Sequence, residues 1–87
     1  MPIIDAHAHY GEWFFPIYRT KPRDIVAIMK KLNIEAVIMS SSKAVLYDMV
    51  EGNRELNAIL GSYEGFYGYV SVNPNYPELS KAEIRRY

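Results

Sequence analysis

The only two histidines of the chain are separated by one alanine, in the segment His7-Ala8-His9. On a β-strand, residues i and i+2 point the same way with Cα atoms about 6.5–7 Å apart, so both imidazoles can converge on one ion at Zn–N distances of about 2.0–2.1 Å. Cysteine is absent, which leaves imidazole and carboxylate as the strong ligand types. We therefore expect a divalent metal at His7 and His9, zinc first, with manganese or another divalent ion as alternatives. An ordinary pair of surface histidines on a half-exposed strand is the competing interpretation.

Further candidate side chains accompany this pair. Asp5 either holds a histidine tautomer as an outer hydrogen-bond acceptor or makes a structural hydrogen bond. Trp13 belongs to an aromatic cluster after the first strand, which is either a substrate platform or a packing surface against another subunit. Arg19 either holds a substrate carboxylate or is a solvated surface charge. Ser40 and Asn73 lie where the second and third strands end and are either pocket-rim residues or ordinary turn residues.

Three segments have strand patterns, at about 3–9, 35–41 and 66–73. In the first, apolar and polar residues alternate, which places Asp5 on the face of the two histidines and Ala8 on the face that packs against helices. The second is a nearly continuous apolar run, typical of a strand that is covered on both faces in a parallel sheet.

Helical patterns fill the intervals between these strands. Apolar residues from about Pro22 to Leu32 recur at i, i+3, i+4 and i+7, and Asn33 suits the left-handed residue that ends such a helix. Residues 42–61 return to helical spacing, with a break predicted at Gly52-Asn53 and the asparagine as the cap of the second part. A capping box that opens with Ser80 predicts the start of a last helix.

The resulting order is α/β, a βαβαβ(α) arrangement of parallel strands with right-handed crossovers. Eight such units extrapolate to about 250 residues, the usual size of a (β/α)₈ barrel. We therefore expect residues 1–87 to form one unit, the N-terminal fragment of a TIM-type barrel.

Residues 4–9, followed by a helix, an apolar strand, an Asn-led helix and the strand ending at residues 72–74, resemble the opening of the amidohydrolase superfamily. Within it, the resemblance is to the amidohydrolase-related branch that includes aminocarboxymuconate-semialdehyde decarboxylase-like enzymes, and it covers the N-terminal third of a family barrel. It implies that His7 and His9 correspond to the first two metal ligands. By the same resemblance, histidines from the fifth and sixth strands and an aspartate from the eighth complete the site.

The function that this resemblance implies is metal-dependent hydrolysis of C–N or C–O bonds, or non-oxidative decarboxylation, of a small molecule. The metal would polarise a carbonyl or lower the pKa of bound water to about 7. Since catalytic zinc normally has three protein ligands and a water, the 87-residue chain alone is expected to lack a complete site and efficient catalysis.

Composition narrows the expected partners. Ten basic and ten acidic residues give a net charge of +0. The chain therefore lacks the excess of positive charge that would attract it to nucleic acid or to an anionic membrane. The absence of cysteine fits a reducing, cytoplasmic setting. We expect a small-molecule substrate, and as protein partner either another copy of the chain or the missing C-terminal portion of the barrel.

Two other functions fit the same patterns. A non-catalytic fragment could persist as an oligomeric scaffold that pairs its exposed strand edges with neighbouring copies. Other β/α-barrel metallohydrolases, the TatD-like nucleases and the polymerase-and-histidinol-phosphatase-like phosphoesterases, also open with His-x-His. The neutral charge argues against phosphate-rich substrates for this chain.

Overall fold

The computed structural model describes residues 2–12 and 21–87. Its elements in chain order are β1 (Ile3–Tyr10), α1 (Pro22–Leu32), β2 (Ile34–Ser41), α2 (Ser42–Leu46), α3 (Met49–Leu60), β3 (Phe66–Gly68) and α4 (Pro77–Arg86). The strands form one sheet in the order β1-β2-β3, and both pairings are parallel. The predicted α/β class with a parallel sheet is confirmed. Across these two ranges, every helix is too short or too polar to cross a bilayer.

The hydrophobic core lies on one face of this sheet. Its buried members are Met29, Val37, Met39, Leu56 and Phe66. Met29 comes from α1 and Leu56 from α3, and both pack against the side chains that β2 presents on a single face. The two long helices therefore cover the same side of the sheet, as two successive crossovers of the same hand require.

The opposite face of the sheet is left open by the described residues. Ile4 is 60% exposed and Tyr67 is 58% exposed. On β2 the alternate residue Ile38, which pairs with Tyr67, is only half-buried. Parallel sheets are normally covered on both faces, so this open face is the surface on which a functional site or a further layer is to be sought.

Helix α1 has the bounds that its sequence pattern predicts. Pro22 stands at its first position, where the missing N–H costs nothing. The Asp24 carboxylate accepts a hydrogen bond of 3.2 Å from the backbone N–H of Lys21. Asn33 ends the helix with φ 57° and ψ 38°, the left-handed conformation that asparagine tolerates. Both ends of α1 are thus determined by local residues.

The predicted break at Gly52-Asn53 is wrong, because α3 runs through both residues. The break lies earlier, at Tyr47 and Asp48, where the Asp48 carboxylate caps α3 by accepting from the Glu51 N–H at 3.1 Å. Gly52 is buried because the backbone of α2 at Ala44 packs directly against it. Asn53 is no cap, since its buried side chain binds a distant segment of the chain.

The third strand is shorter than predicted, covering Phe66–Gly68. One more sheet bond follows, from the Tyr69 N–H to the Met39 carbonyl at 2.8 Å. The start of the last helix is also predicted wrongly, because α4 begins at Pro77. Ser80 lies buried inside α4, where its hydroxyl donates to the Asn73 carbonyl at 2.8 Å instead of capping the helix.

Candidate metal centre

The pairing of β1 with β2 contains an irregularity that decides which side chains share a face. Asp5 pairs with Val37 and Ala8 pairs with Met39, so two residues of β1 stand opposite one of β2. This bulge interrupts the alternation of faces. Asp5 pairs with the buried Val37 and His9 pairs with Ser40, yet Asp5 and His9 both line one cleft beside α1. The strict alternation that placed Asp5 on the face of the two histidines is thus interrupted between Asp5 and Ala8.

Two side chains satisfy the backbone groups that the bulge frees. The backbone N–H of His7 donates to the Asp5 carboxylate at 3.1 Å. The Tyr69 hydroxyl donates to the carbonyl oxygen of Ala6 at 2.9 Å, across the width of the sheet. Backbone groups that leave a sheet ladder need such partners. Tyr69 was missed by the sequence reasoning, since only the register of β1 shows that the Ala6 carbonyl needs a donor.

The two imidazoles lie side by side near the carboxyl end of β1. The ring centroids of His7 and His9 are 5.1 Å apart, with an angle of 63° between the ring planes. Both residues are exposed. His9 pairs with Ser40 of β2, and the Ser40 hydroxyl lies 3.0 Å from the Nδ1 atom of His9. The structure thus brings together three of the residues that the sequence singled out.

The imidazole pair fits part of a metal coordination set. Two neighbouring imidazoles can share one ion when each ligates through one ring nitrogen at about 2.0–2.1 Å. Within residues 2–12 and 21–87, however, no three histidine, cysteine or carboxylate side chains are grouped closely enough to hold a metal together. A catalytic zinc normally has three protein ligands, so the described residues could offer at most two imidazole donors of such a set.

Hydrogen bonds from the start of α2 hold the chain where β1 ends. The Ser42 hydroxyl lies 3.1 Å from the Tyr10 carbonyl oxygen and 2.8 Å from that of Glu12. The adjacent Lys43 ammonium donates to the Glu55 carboxylate at 2.9 Å. This hydrogen bond and the charge of Glu55 raise the pKa of Lys43 above its ordinary value. Lys43 is therefore a paired cation, held by α3 beside the candidate site.

Among the described residues, Asn73 does not join this group. The Asn73 side chain accepts from the Asn75 N–H at 2.9 Å, as a turn residue does. Asn73 also lines a cavity of about 260 Å³ beside α2 and the first turn of α3, whose described lining contains neither histidine. Trp13 and Arg19 lie outside the described residues.

Comparison of the chain with protein-family models, curated proteins and solved structures gives no match.

Proposed function

We propose that this chain forms the N-terminal portion of a metal-dependent amidohydrolase-like (β/α)₈ enzyme and supplies two ligands, His7 and His9, to one divalent cation. The observation that carries the proposal is the pair of imidazoles with ring centroids 5.1 Å apart near the carboxyl end of a parallel strand. Barrel enzymes build their active sites at that end of the strands. Imidazole nitrogen is a common ligand of zinc in proteins.

The winding of the chain supports the barrel part of the proposal. Strand order β1-β2-β3 with α1 and α3 on one face repeats the unit from which a barrel closes. In a closed barrel the open face of this sheet becomes the interior, and further strands cover Ile4 and Tyr67. The third metal ligand would come from those strands, as the resemblance to the amidohydrolases implies.

The chemistry that such a metal supplies is polarisation of a substrate carbonyl or carboxylate, or activation of a bound water. The proposed substrate is accordingly a small molecule with a carbonyl, amide, ester or carboxylate group. The protein's own part is to hold two imidazoles in place on a rigid strand, because a ligand that is already oriented loses little entropy on binding.

Zinc titration tests the metal-binding part. We expect the His7→Ala, His9→Ala double variant to bind Zn²⁺ at least about tenfold more weakly than the wild type, since losing even an outer-shell partner of a ligand costs about 10–100-fold. Calorimetry measures the change. Glu64→Ala, which removes an exposed carboxylate away from the pair, is the matched control and should bind as the wild type does. Equal binding by the wild type and the double variant contradicts the proposal.

A non-catalytic scaffold is the second candidate, and the exposure of the open face favours it. Tyr67 is 58% exposed and Tyr69 is 49% exposed beside the half-buried Ile38. In this function the face is covered by another copy of the chain instead of further strands. Sedimentation velocity of the metal-free chain should then show a concentration-dependent dimer or larger species. A monomer throughout the concentration range counts against the scaffold.

A further inference from the structure

We propose that Ser40 is a positioning residue that fixes the tautomer of His9. It does so by accepting a hydrogen bond from Nδ1–H and leaving the lone pair on Nε2. This inference rests on the proposed function, because the purpose of fixing the tautomer is to present Nε2 of His9 to the cation. Because Ser40 lies at the end of a strand, the sequence suggested that it contacts substrate. In this inference Ser40 instead contacts His9, a proposed metal ligand.

The first support is the geometry of the contact. The Ser40 hydroxyl oxygen and His9 Nδ1 are 3.0 Å apart, an ordinary hydrogen-bond distance. His9 and Ser40 are paired in the register of β1 and β2, so the backbone ladder holds both side chains on the same face of adjacent strands. The contact is therefore built into the sheet, and no loop has to move to form it.

The second support comes from the donor and acceptor inventory of the two groups. A neutral imidazole carries one N–H and one lone pair, and a serine hydroxyl can donate or accept. If the hydroxyl donated to Nδ1, the proton of the ring would sit on Nε2, and neither nitrogen would have a lone pair for a metal. If Nδ1–H donates to the hydroxyl, Nε2 keeps its lone pair. Only the second arrangement is compatible with His9 as a ligand.

A hydrogen bond to the second nitrogen of a ligating histidine is a general way to orient the ring, and its loss typically costs about 10–100-fold in metal affinity. The described hydrogen bond of the Asp5 carboxylate is to the His7 backbone N–H at 3.1 Å and not to an imidazole nitrogen. Among the described contacts, the Ser40 hydroxyl reaches an imidazole nitrogen, Nδ1 of His9.

Nitrogen-15 NMR of the imidazole rings in the metal-free protein tests the assignment directly. At about pH 8.5 a free imidazole is neutral, and the two tautomers give distinct nitrogen shifts. We expect wild-type His9 to be protonated at Nδ1, Ser40→Ala to populate both tautomers, and Ser40→Thr, which keeps a hydroxyl, to restore the wild-type pattern. The shifts of His7 serve as the internal control. Predominant Nε2–H in the wild type, or an unchanged pattern in Ser40→Ala, overturns the proposal.

Zinc calorimetry on the same variants links the tautomer to binding. We expect Ser40→Ala to lose about tenfold in Zn²⁺ affinity and Ser40→Thr to lose less than about threefold. A Ser40→Ala protein that binds zinc as tightly as the wild type contradicts the positioning role. The two proposals fail separately, because absence of histidine-dependent zinc binding in the wild type removes the proposed function, whereas the nitrogen shifts judge Ser40 without any metal.

Discussion

Gly52→Ala should destabilise the protein by about 3 kcal/mol, the upper part of the range for overpacked interiors. A Cβ atom at residue 52 would lie 2.2 Å from the Ala44 backbone nitrogen and 2.5 Å from the Ala44 Cα. Both atoms belong to the backbone of α2, so relief requires the whole helix to shift away from α3. In a domain with a total stability of about 5–10 kcal/mol, such a loss should lower Tm by roughly 15 °C.

The chain offers a matched control for this substitution. Gly61 ends α3 with φ −78° and ψ −10°, and an added Cβ there would meet nothing within 4 Å. Gly61→Ala should therefore leave stability unchanged or raise it by a few tenths of a kcal/mol. Adding Ala44→Gly to Gly52→Ala should not restore stability, because the closest atom is backbone. Equal urea midpoints for Gly52→Ala and Gly61→Ala would contradict the close packing of α2 on α3.

Asn53→Leu should also cost about 3 kcal/mol, because it strips hydrogen bonds from groups that stay buried. The Asn53 amide donates to the Ser71 carbonyl at 2.8 Å and accepts from the Ser71 N–H at 3.0 Å. It also donates to the Glu83 carboxylate at 3.2 Å. Glu83 is 1% exposed, so water cannot replace the lost donor. Leucine has a similar volume, which separates the loss of polar contacts from the creation of a cavity.

Two comparison variants sharpen this prediction. Asn57→Leu changes an exposed asparagine one helical turn further along α3 and should alter the free energy of unfolding by less than about 0.5 kcal/mol. In Asn53→Leu the buried Glu83 carboxylate keeps its ion pair with Arg86 at 3.5 Å but loses the amide donor. Adding Glu83→Leu removes this carboxylate and should recover part of the loss, since a buried charge with a lost partner is costly. Denaturation in urea measures all of these values. A loss below about 1 kcal/mol for Asn53→Leu would mean that the network contributes little.

This network matters for the candidate site because it fixes the segment after β3. Ser71 lies two residues beyond Tyr69, whose hydroxyl binds the Ala6 carbonyl at the bulge of β1. Asn53 therefore holds the main chain at Ser71, two residues beyond the tyrosine that binds the bulge of β1.

Much of the architecture was predictable from the sequence. The bounds of α1 follow from a proline at its start and an asparagine at its end, both of which act within one helical turn. The apolar run of β2 and the alternation of strands with helices gave the parallel α/β class. The His-x-His spacing likewise predicted adjacent imidazoles, because side chains two residues apart share one side of a strand.

Only the tertiary structure decided which groups Asp5, Ser40, Gly52, Asn53 and Tyr69 contact. Gly52 and Asn53 read as a helix break because these residue types favour turns locally, yet close packing of α2 and a distant backbone partner hold them inside α3. The bulge between Asp5 and Ala8 depends on the register with β2, and the sequence of β1 alone does not reveal it. Local signals determined where α1 begins and ends, whereas contacts between residues far apart in sequence determined what the buried side chains touch.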